Sequence, residues 1–179
     1  MLAESYDAKT IKKINFPAIC QLKSDGTRIN IVVNNGVVTY YGRSGKVFDF
    51  LGIPDKEFID LANQIGLDSV MFDGECLVTD VLSNSVLKRE TGNGIISRAL
   101  KGTITENEAK SVVFDLWDFV PYSEFNAGKD TTPYITRYTK LKTAVDSAKT
   151  HYIRLIETHI VNSLDEAFNI YEWYLAALS

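Results

Sequence analysis

Residues 16–28 read Phe16-Pro17-Ala18-Ile19-Cys20-Gln21-Leu22-Lys23-Ser24-Asp25-Gly26-Thr27-Arg28, an apolar run that ends on a lysine, a carboxylate, a glycine and an arginine. If the strand continues through this run, alternation of side chains puts Gln21, Lys23 and Asp25 on one face, an ammonium beside a carboxylate. Gly26 lets the backbone turn or approach a ligand closely. Arg28 offers a rigid planar fork for phosphate or ribose oxygens. A lysine that attacks a nucleotide phosphate needs these groups together. The same residues also suit a surface strand with a solvated ion pair, so the reading depends on what surrounds them.

Downstream, the β-branched runs 29–33 and 37–41 are joined by Asn34-Asn35-Gly36, a strong hairpin signal. Phe58, Leu61, Ala62 and Ile65 recur at helical spacing after Pro54, and Gly66 closes that helix. Residues 70–79 read as a buried strand, with Asp73 and Glu75 on one face and Val70, Phe72, Cys76 and Val78 on the other. Residues 82–94, rich in Ser, Asn and Gly, read as a loop. One helical turn is expected at 105–110, a strand with aromatic residues on both faces at 112–120, and a loop at 121–133. A helix over 137–148 turns Tyr138, Leu141, Val145 and Ala148 to one side, and a strand over 152–161 follows. Ser163 and Glu166 form a capping box for a last helix that directs Leu164, Ala167, Phe168, Tyr171 and Leu175 to the core. Residues 1–15 are polar with a basic pair, Lys12-Lys13, and read as a lead-in segment or a short helix. Hairpins and strands interspersed with helices, without regular βαβ alternation, predict an α+β fold.

The chain of 179 residues, 45% hydrophobic, suits one domain with a real core. No apolar run approaches the roughly 18 residues of a membrane span, and no signal-peptide core is present, so a cytoplasmic protein is expected. Cys20 and Cys76 lie far apart in apolar runs and read as buried, reduced thiols. His151 and His159 have no partners at zinc spacing. A net charge of −4 gives no basic surface over the whole chain, which argues against a self-sufficient nucleic-acid binder. There is no phosphate-binding G-x-x-x-x-G-K-[ST] loop and no G-x-S-x-G nucleophile turn.

The pattern K-x-D-G-x-R at 23–28 resembles the signature of the covalent nucleotidyltransferases: DNA ligases, RNA ligases and capping enzymes. Further stretches in the same order resemble the ATP-dependent DNA ligases of the T-even bacteriophage type. They are Ser5-Tyr6-Asp7 with Phe16-Pro17-Ala18, Arg43-Ser44-Gly45, Phe72-Asp73-Gly74-Glu75, Leu100-Lys101-Gly102-Thr103-Ile104 and Trp117-Asp118-Phe119-Val120-Pro121. Arg137-Tyr138-Thr139-Lys140-Leu141 and Val161-Asn162-Ser163-Leu164-Asp165-Glu166-Ala167 complete the series. The segment between Glu75 and Leu100 is shorter than in those enzymes. The resemblance implies a nucleotidyltransferase (adenylation) core of antiparallel sheets flanked by helices. It also implies that 1–179 form part of that domain, truncated before its C-terminal strands. The preceding DNA-binding domain, the following oligonucleotide-binding domain, a Glu-Gly motif and a late pair of lysines are then absent from this sequence. On that ground the chain alone is expected to be folded but a very poor enzyme, with a sheet edge near its C-terminus open to self-association; the parent enzyme is expected to be a monomer.

The resemblance further implies ATP and Mg2+ as cofactors and nicked duplex DNA as the partner, met mainly through parts outside this sequence. Lys23 becomes the nucleophile that takes AMP. A lysine side chain must shed the proton of its ammonium form before it can attack. Asp25 is assigned to the metal and phosphates or to the nick. Glu75 is assigned to the ribose and the metal, and Asp73 either supports the metal or orients Lys23. Gln21, with its neighbour Leu22, reads the adenine edge, and Arg28 and Arg43 reach the sugar and phosphates. An aromatic ring stacks on adenine. Phe114 and Trp117 compete for that place, and Trp117 is favoured because it lies 20 residues before Arg137. An RNA ligase or capping enzyme, or a non-catalytic module that only binds nucleotide or nicked DNA, remains as an alternative.

Overall fold

The computed structural model describes residues 7, 9–80, 82, 83 and 85–177. Ser5, Tyr6 and the terminal Leu178-Ser179 of the sequence reading lie outside them. The chain divides into a larger unit, Ser24–Leu155, and a smaller one built from Met1–Lys23 and Ile156–Ser179.

The larger unit is a six-stranded sheet with helices on its apolar face. Its elements in chain order are β2 (Thr27–Asn34), β3 (Val37–Gly42), β4 (Val47–Phe48), α1 (Asp55–Ile65), β5 (Ser69–Val78), α2 (Arg89–Lys101), α3 (Glu106–Ala109), β6 (Val112–Pro121), α4 (Tyr122–Ala127), α5 (Tyr134–Ala148) and β7 (Ile153–Leu155), the strand before them being β1 (Ala18–Gln21) of the smaller unit. The strand order is β4-β3-β2-β5-β6-β7. The β2–β3 hairpin turns at Asn35-Gly36, both left-handed at φ 49° and 80°, the backbone that a two-residue turn of this kind demands. Pairing is antiparallel except between β6 and β7, which run parallel. That departs from the all-antiparallel expectation: the long α5 crossover brings the chain back in the direction of β6.

One sheet face is the core. Ile29 and Ile31 of β2, Phe72 and Cys76 of β5, and Phe114 and Leu116 of β6 pack there against α1, α2 and α5. Phe58, Leu61, Ala62 and Ile65 all turn inward from α1, as their spacing predicts. The other face carries the polar residues of interest, Arg28, Asn30, Asp73, Glu75 and Asp115, among the buried apolar side chains of Val32, Met71, Leu77 and Val113.

Several sequence expectations are corrected. Residues 89–94 are helical, not loop: α2 begins at Arg89 despite Gly92 and Gly94. Tertiary packing overrides propensity there: Gly92 is buried against the side chain of Val78. Residues 122–127 form α4, and α5 starts at Tyr134, one turn earlier than its apolar pattern, directly after Pro133. Ala144, rather than Val145 or Ala148, is buried beside Tyr138 and Leu141. The 152–161 strand is two strands, β7 and β8 (Thr158–Val161), in different sheets.

In the smaller unit β1 pairs antiparallel with β8, and α6 (Leu164–Ala177) follows. Glu166 N–H donates to Ser163 Oγ at 3.2 Å, and the Glu166 carboxylate accepts from Asn162 N–H, so the cap forms with its return bond one residue further back. The core-facing expectation for α6 fails. Phe168, Tyr171 and Leu175 are exposed, and Leu164, Ala167, Ile170 and Tyr174 are the half-buried ones. A two-stranded sheet offers too little surface to cover a wider helical face. Cys76 is buried as expected, whereas Cys20 is only half-buried; both are free thiols. Among the described residues no helix is long and apolar enough to cross a membrane.

Candidate active site

Strand β1 ends at Gln21, so residues 22–25 are irregular and the alternation that would align Gln21, Lys23 and Asp25 stops there. Gln21 Nε2 donates to Thr158 Oγ1 at 2.7 Å. Leu22 and Lys23 are exposed. Asp25 pairs with Arg89 at 3.1 Å rather than with Lys23.

The larger unit opens with residues 24–26, which are pinned twice. Ser24 Oγ donates to Asp115 Oδ2 at 2.8 Å, and Gly26 N–H donates to Glu75 Oε1 at 3.0 Å. Gly26 is required by close approach: a Cβ there would lie 2.3 Å from the Cys76 carbonyl oxygen. Strand register then sets a row of charge across four strands. Arg28 on β2 stands opposite Glu75 on β5, Glu75 opposite Asp115 on β6, and Asp115 opposite Arg154 on β7. Arg154 Nε donates to Asp115 Oδ1 at 2.7 Å.

Arg28 grips Asp73 with both arms of its fork, at 3.1 and 2.7 Å, and Asn30 adds a bond to the same carboxylate at 3.0 Å. The Asp73 bond raises the Arg28 pKa, keeping the guanidinium charged. Arg28 also stands over the Trp117 ring, 6.0 Å from its centroid. Trp117 occupies the irregularity in the β5–β6 register, where Asp73 and Gly74 face Asp118 and Leu116. The extra residue places its half-buried ring on the polar face. Phe114 is fully buried among Tyr40, Phe50 and Phe58 and belongs to the core. The spacing of Trp117-Asp118 to Arg137 has a structural cause as well: Arg137 clasps Asp118 at 2.8 Å through both nitrogens, and Tyr134 O–H donates to the Trp117 carbonyl.

The structure thus brings Arg28, Glu75 and Trp117 to one sheet face beside the loop that carries Asp25. Arg43 is elsewhere, exposed in the tight turn that Gly42 closes on Lys46. Ser24, Asn30, Asp115 and Arg154 were not singled out from sequence. Asp115 could have been, as the residue beside Phe114 on the opposite strand face; its partners depend on register. Among the described residues no three His, Cys, Asp or Glu side chains gather as a metal cage. Glu75 and Asp25 do offer hard carboxylate oxygens, and magnesium needs only one or two of these besides water and substrate phosphates.

The family described as ATP dependent DNA ligase domain matches residues 1–178. The DNA ligases of Enterobacteria phages T6 and T4 are each 34% identical over 206 residues, covering 98% of this chain and 42% of the relative. The chain therefore spans less than half the length of these relatives. A solved structure of the ATP-dependent DNA ligase from bacteriophage T7, in complex with ATP, superposes with a TM-score of 0.64 at 18% identity, covering 95% of this chain and 57% of that one. The fold is that of an ATP-dependent DNA ligase adenylation domain.

Proposed function

Since the chain belongs to the ATP-dependent DNA ligase family, we propose that it is the adenylyl-transfer core of an enzyme that seals nicks in duplex DNA, with Lys23 as the nucleophile. The neutral amine of Lys23 attacks the α-phosphorus of ATP. The N–P bond forms as the bond to pyrophosphate breaks, and the amine proton goes to solvent. AMP then passes to the 5′-phosphate of the nick, and the 3′-hydroxyl displaces it to close the strand. Trp117 offers a face to adenine, Gln21 and Leu22 its edge contacts, and Arg28, held beside Trp117, a fixed positive charge to sugar and phosphate. Glu75 and Asp25 would hold magnesium, which neutralises phosphate charge. Residues 1–179 are in this reading part of the adenylation domain of a longer enzyme.

One observation carries the proposal: the K-x-D-G-x-R segment is fastened, through Gly26 and Glu75, to the polar sheet face that also bears Arg28 and Trp117. A surface strand with a solvated ion pair has no need of that fastening. The test is incubation with magnesium and ATP radiolabelled at its α-phosphate, followed by denaturing electrophoresis. Slow, substoichiometric label that vanishes in Lys23→Ala is expected. Equal label in Lys23→Ala overturns the nucleophile, and no label in the wild type overturns adenylyl transfer by this chain.

A further inference from the structure

Lys23 is the last residue of one unit and Ser24 the first of the other. The Ser24 side chain is one of the two fastenings. Asp115 accepts Ser24 Oγ on one oxygen and Arg154 Nε on the other, so both of its oxygens are committed. With its side chain only 14% exposed, Asp115 makes these charge-assisted bonds where water competes poorly. Its register partner is Glu75, which holds Gly26. Neighbouring carboxylates of one sheet row therefore grip the chain on either side of Asp25.

Resting on the adenylyl-transfer reading, we propose that Ser24, Asp115 and Arg154 are positioning residues for the lysine nucleophile. The Ser24 bond fixes the main chain at Ser24, and the peptide link sets the Lys23 Cα about 3.8 Å from it. Arg154 supplies the counter-charge that holds Asp115 in the rotamer facing Ser24. A loop ordered in advance spares the reaction the entropy of ordering it at the moment of attack. None of these side chains needs to touch ATP for the effect.

Two measurements on the full chain test this, with Ser24→Ala, Asp115→Ala, the double variant and Asp115→Asn. The first is amide hydrogen exchange at residues 24–26, which needs no activity. Ser24→Ala and Asp115→Ala should speed exchange there, and Asp115→Asn, which can still accept from Arg154 and donate to Ser24, should retain most of the protection. Unchanged exchange in Ser24→Ala overturns the tether. The second is the rate of Lys23 labelling, set against the ATP dissociation constant from calorimetry. Each alanine variant should label about tenfold more slowly with ATP affinity unchanged, and the double variant no more slowly than the worse single one. Faster exchange with an unchanged labelling rate, or additive losses, overturns the positioning role. Absence of label from the wild type sinks the adenylyl-transfer reading instead, and is distinguishable because the exchange result stands by itself.

Discussion

Gly26→Ala should weaken the fold at the K-x-D-G-x-R segment, and the size of the effect follows from the structure. A methyl group on Gly26 would lie 2.3 Å from the Cys76 carbonyl oxygen, 2.8 Å from Leu77 Cδ2 and 2.9 Å from Glu75 Cγ. The two side chains can rotate away. The carbonyl cannot, because Cys76 is paired with Thr27 in the β2–β5 ladder. Restoring ordinary contact means separating the strands by about 1 Å at that end, in a close-packed interior that resists such shifts. The expected cost is about 3 kcal/mol, the upper part of the overpacking range. For a chain of this size that lowers the melting temperature by about 6–12 °C. Gly94→Ala is the matched control. It lies inside α2 with nothing nearer than Arg98 Nη1 at 3.7 Å, and alanine there should stabilise by up to about 1 kcal/mol through helix propensity. Thermal melts followed by far-UV circular dichroism read both. A Gly26→Ala chain that melts within about 2 °C of the wild type would refute the steric argument, since it would mean that β2 and β5 separate at almost no cost.

The remaining predictions concern the aromatic assignment and acid stability. In a Trp173→Phe background, which removes an exposed indole, Trp117 fluorescence should change on ATP titration; a constant signal while calorimetry shows binding rules out stacking. Phe114→Ala should instead cost about 3–5 kcal/mol of stability, measured by urea denaturation, because it empties the centre of the core. Glu108 is held down to about 2 from its ordinary 4.5 by the Arg98 hydrogen bond and then by Thr105 N–H. A lowered carboxyl pKa means that the folded chain binds fewer protons than the unfolded one. The contribution is therefore fully present above pH 4.5 and is lost as pH falls toward about 2. Glu108→Gln should flatten that part of the melting-temperature profile, and a parallel slope in both proteins would show that Glu108 is not its source.

What the sequence revealed was what local chemistry determines. Asn35-Gly36 demands its turn, Pro54 and Gly66 bracket α1, and a single helical turn is found where 105–110 read as one. The failures share a different cause. Gly92 and Gly94 read as loop because Val78, the side chain on which Gly92 packs, is supplied by another element. Residues 152–161 look uniformly extended, and nothing local marks where the chain leaves one sheet for another. The face of α6 was misjudged because helical spacing says which residues lie together, not how much surface there is to meet them. Motif, alternation and spacing singled out Glu75, Arg28 and Trp117, and the structure brings these three to one sheet face. Asp115 was not singled out, because its bond to Ser24 joins residues 91 positions apart and exists only once β6 is in register with β5.

The discontinuity of the smaller unit has a consequence for how the chain acquires its structure. Its two segments flank the whole of Ser24–Leu155, and β1 meets β8 with Ala18 opposite Val161. A chain made from its N-terminus therefore produces β1 early and its partner late. The contiguous unit can assemble from its own contacts in the meantime, whereas β1 must wait for the most distant pairing in the molecule, the kind that forms slowly. At four residues, β1 presents only a short edge while it waits. The Ser24–Asp115 bond lies wholly within the part that can assemble first. Lys23 thus gains its downstream anchor before its upstream strand, and the two sides of this lysine are set in the order in which the chain is made.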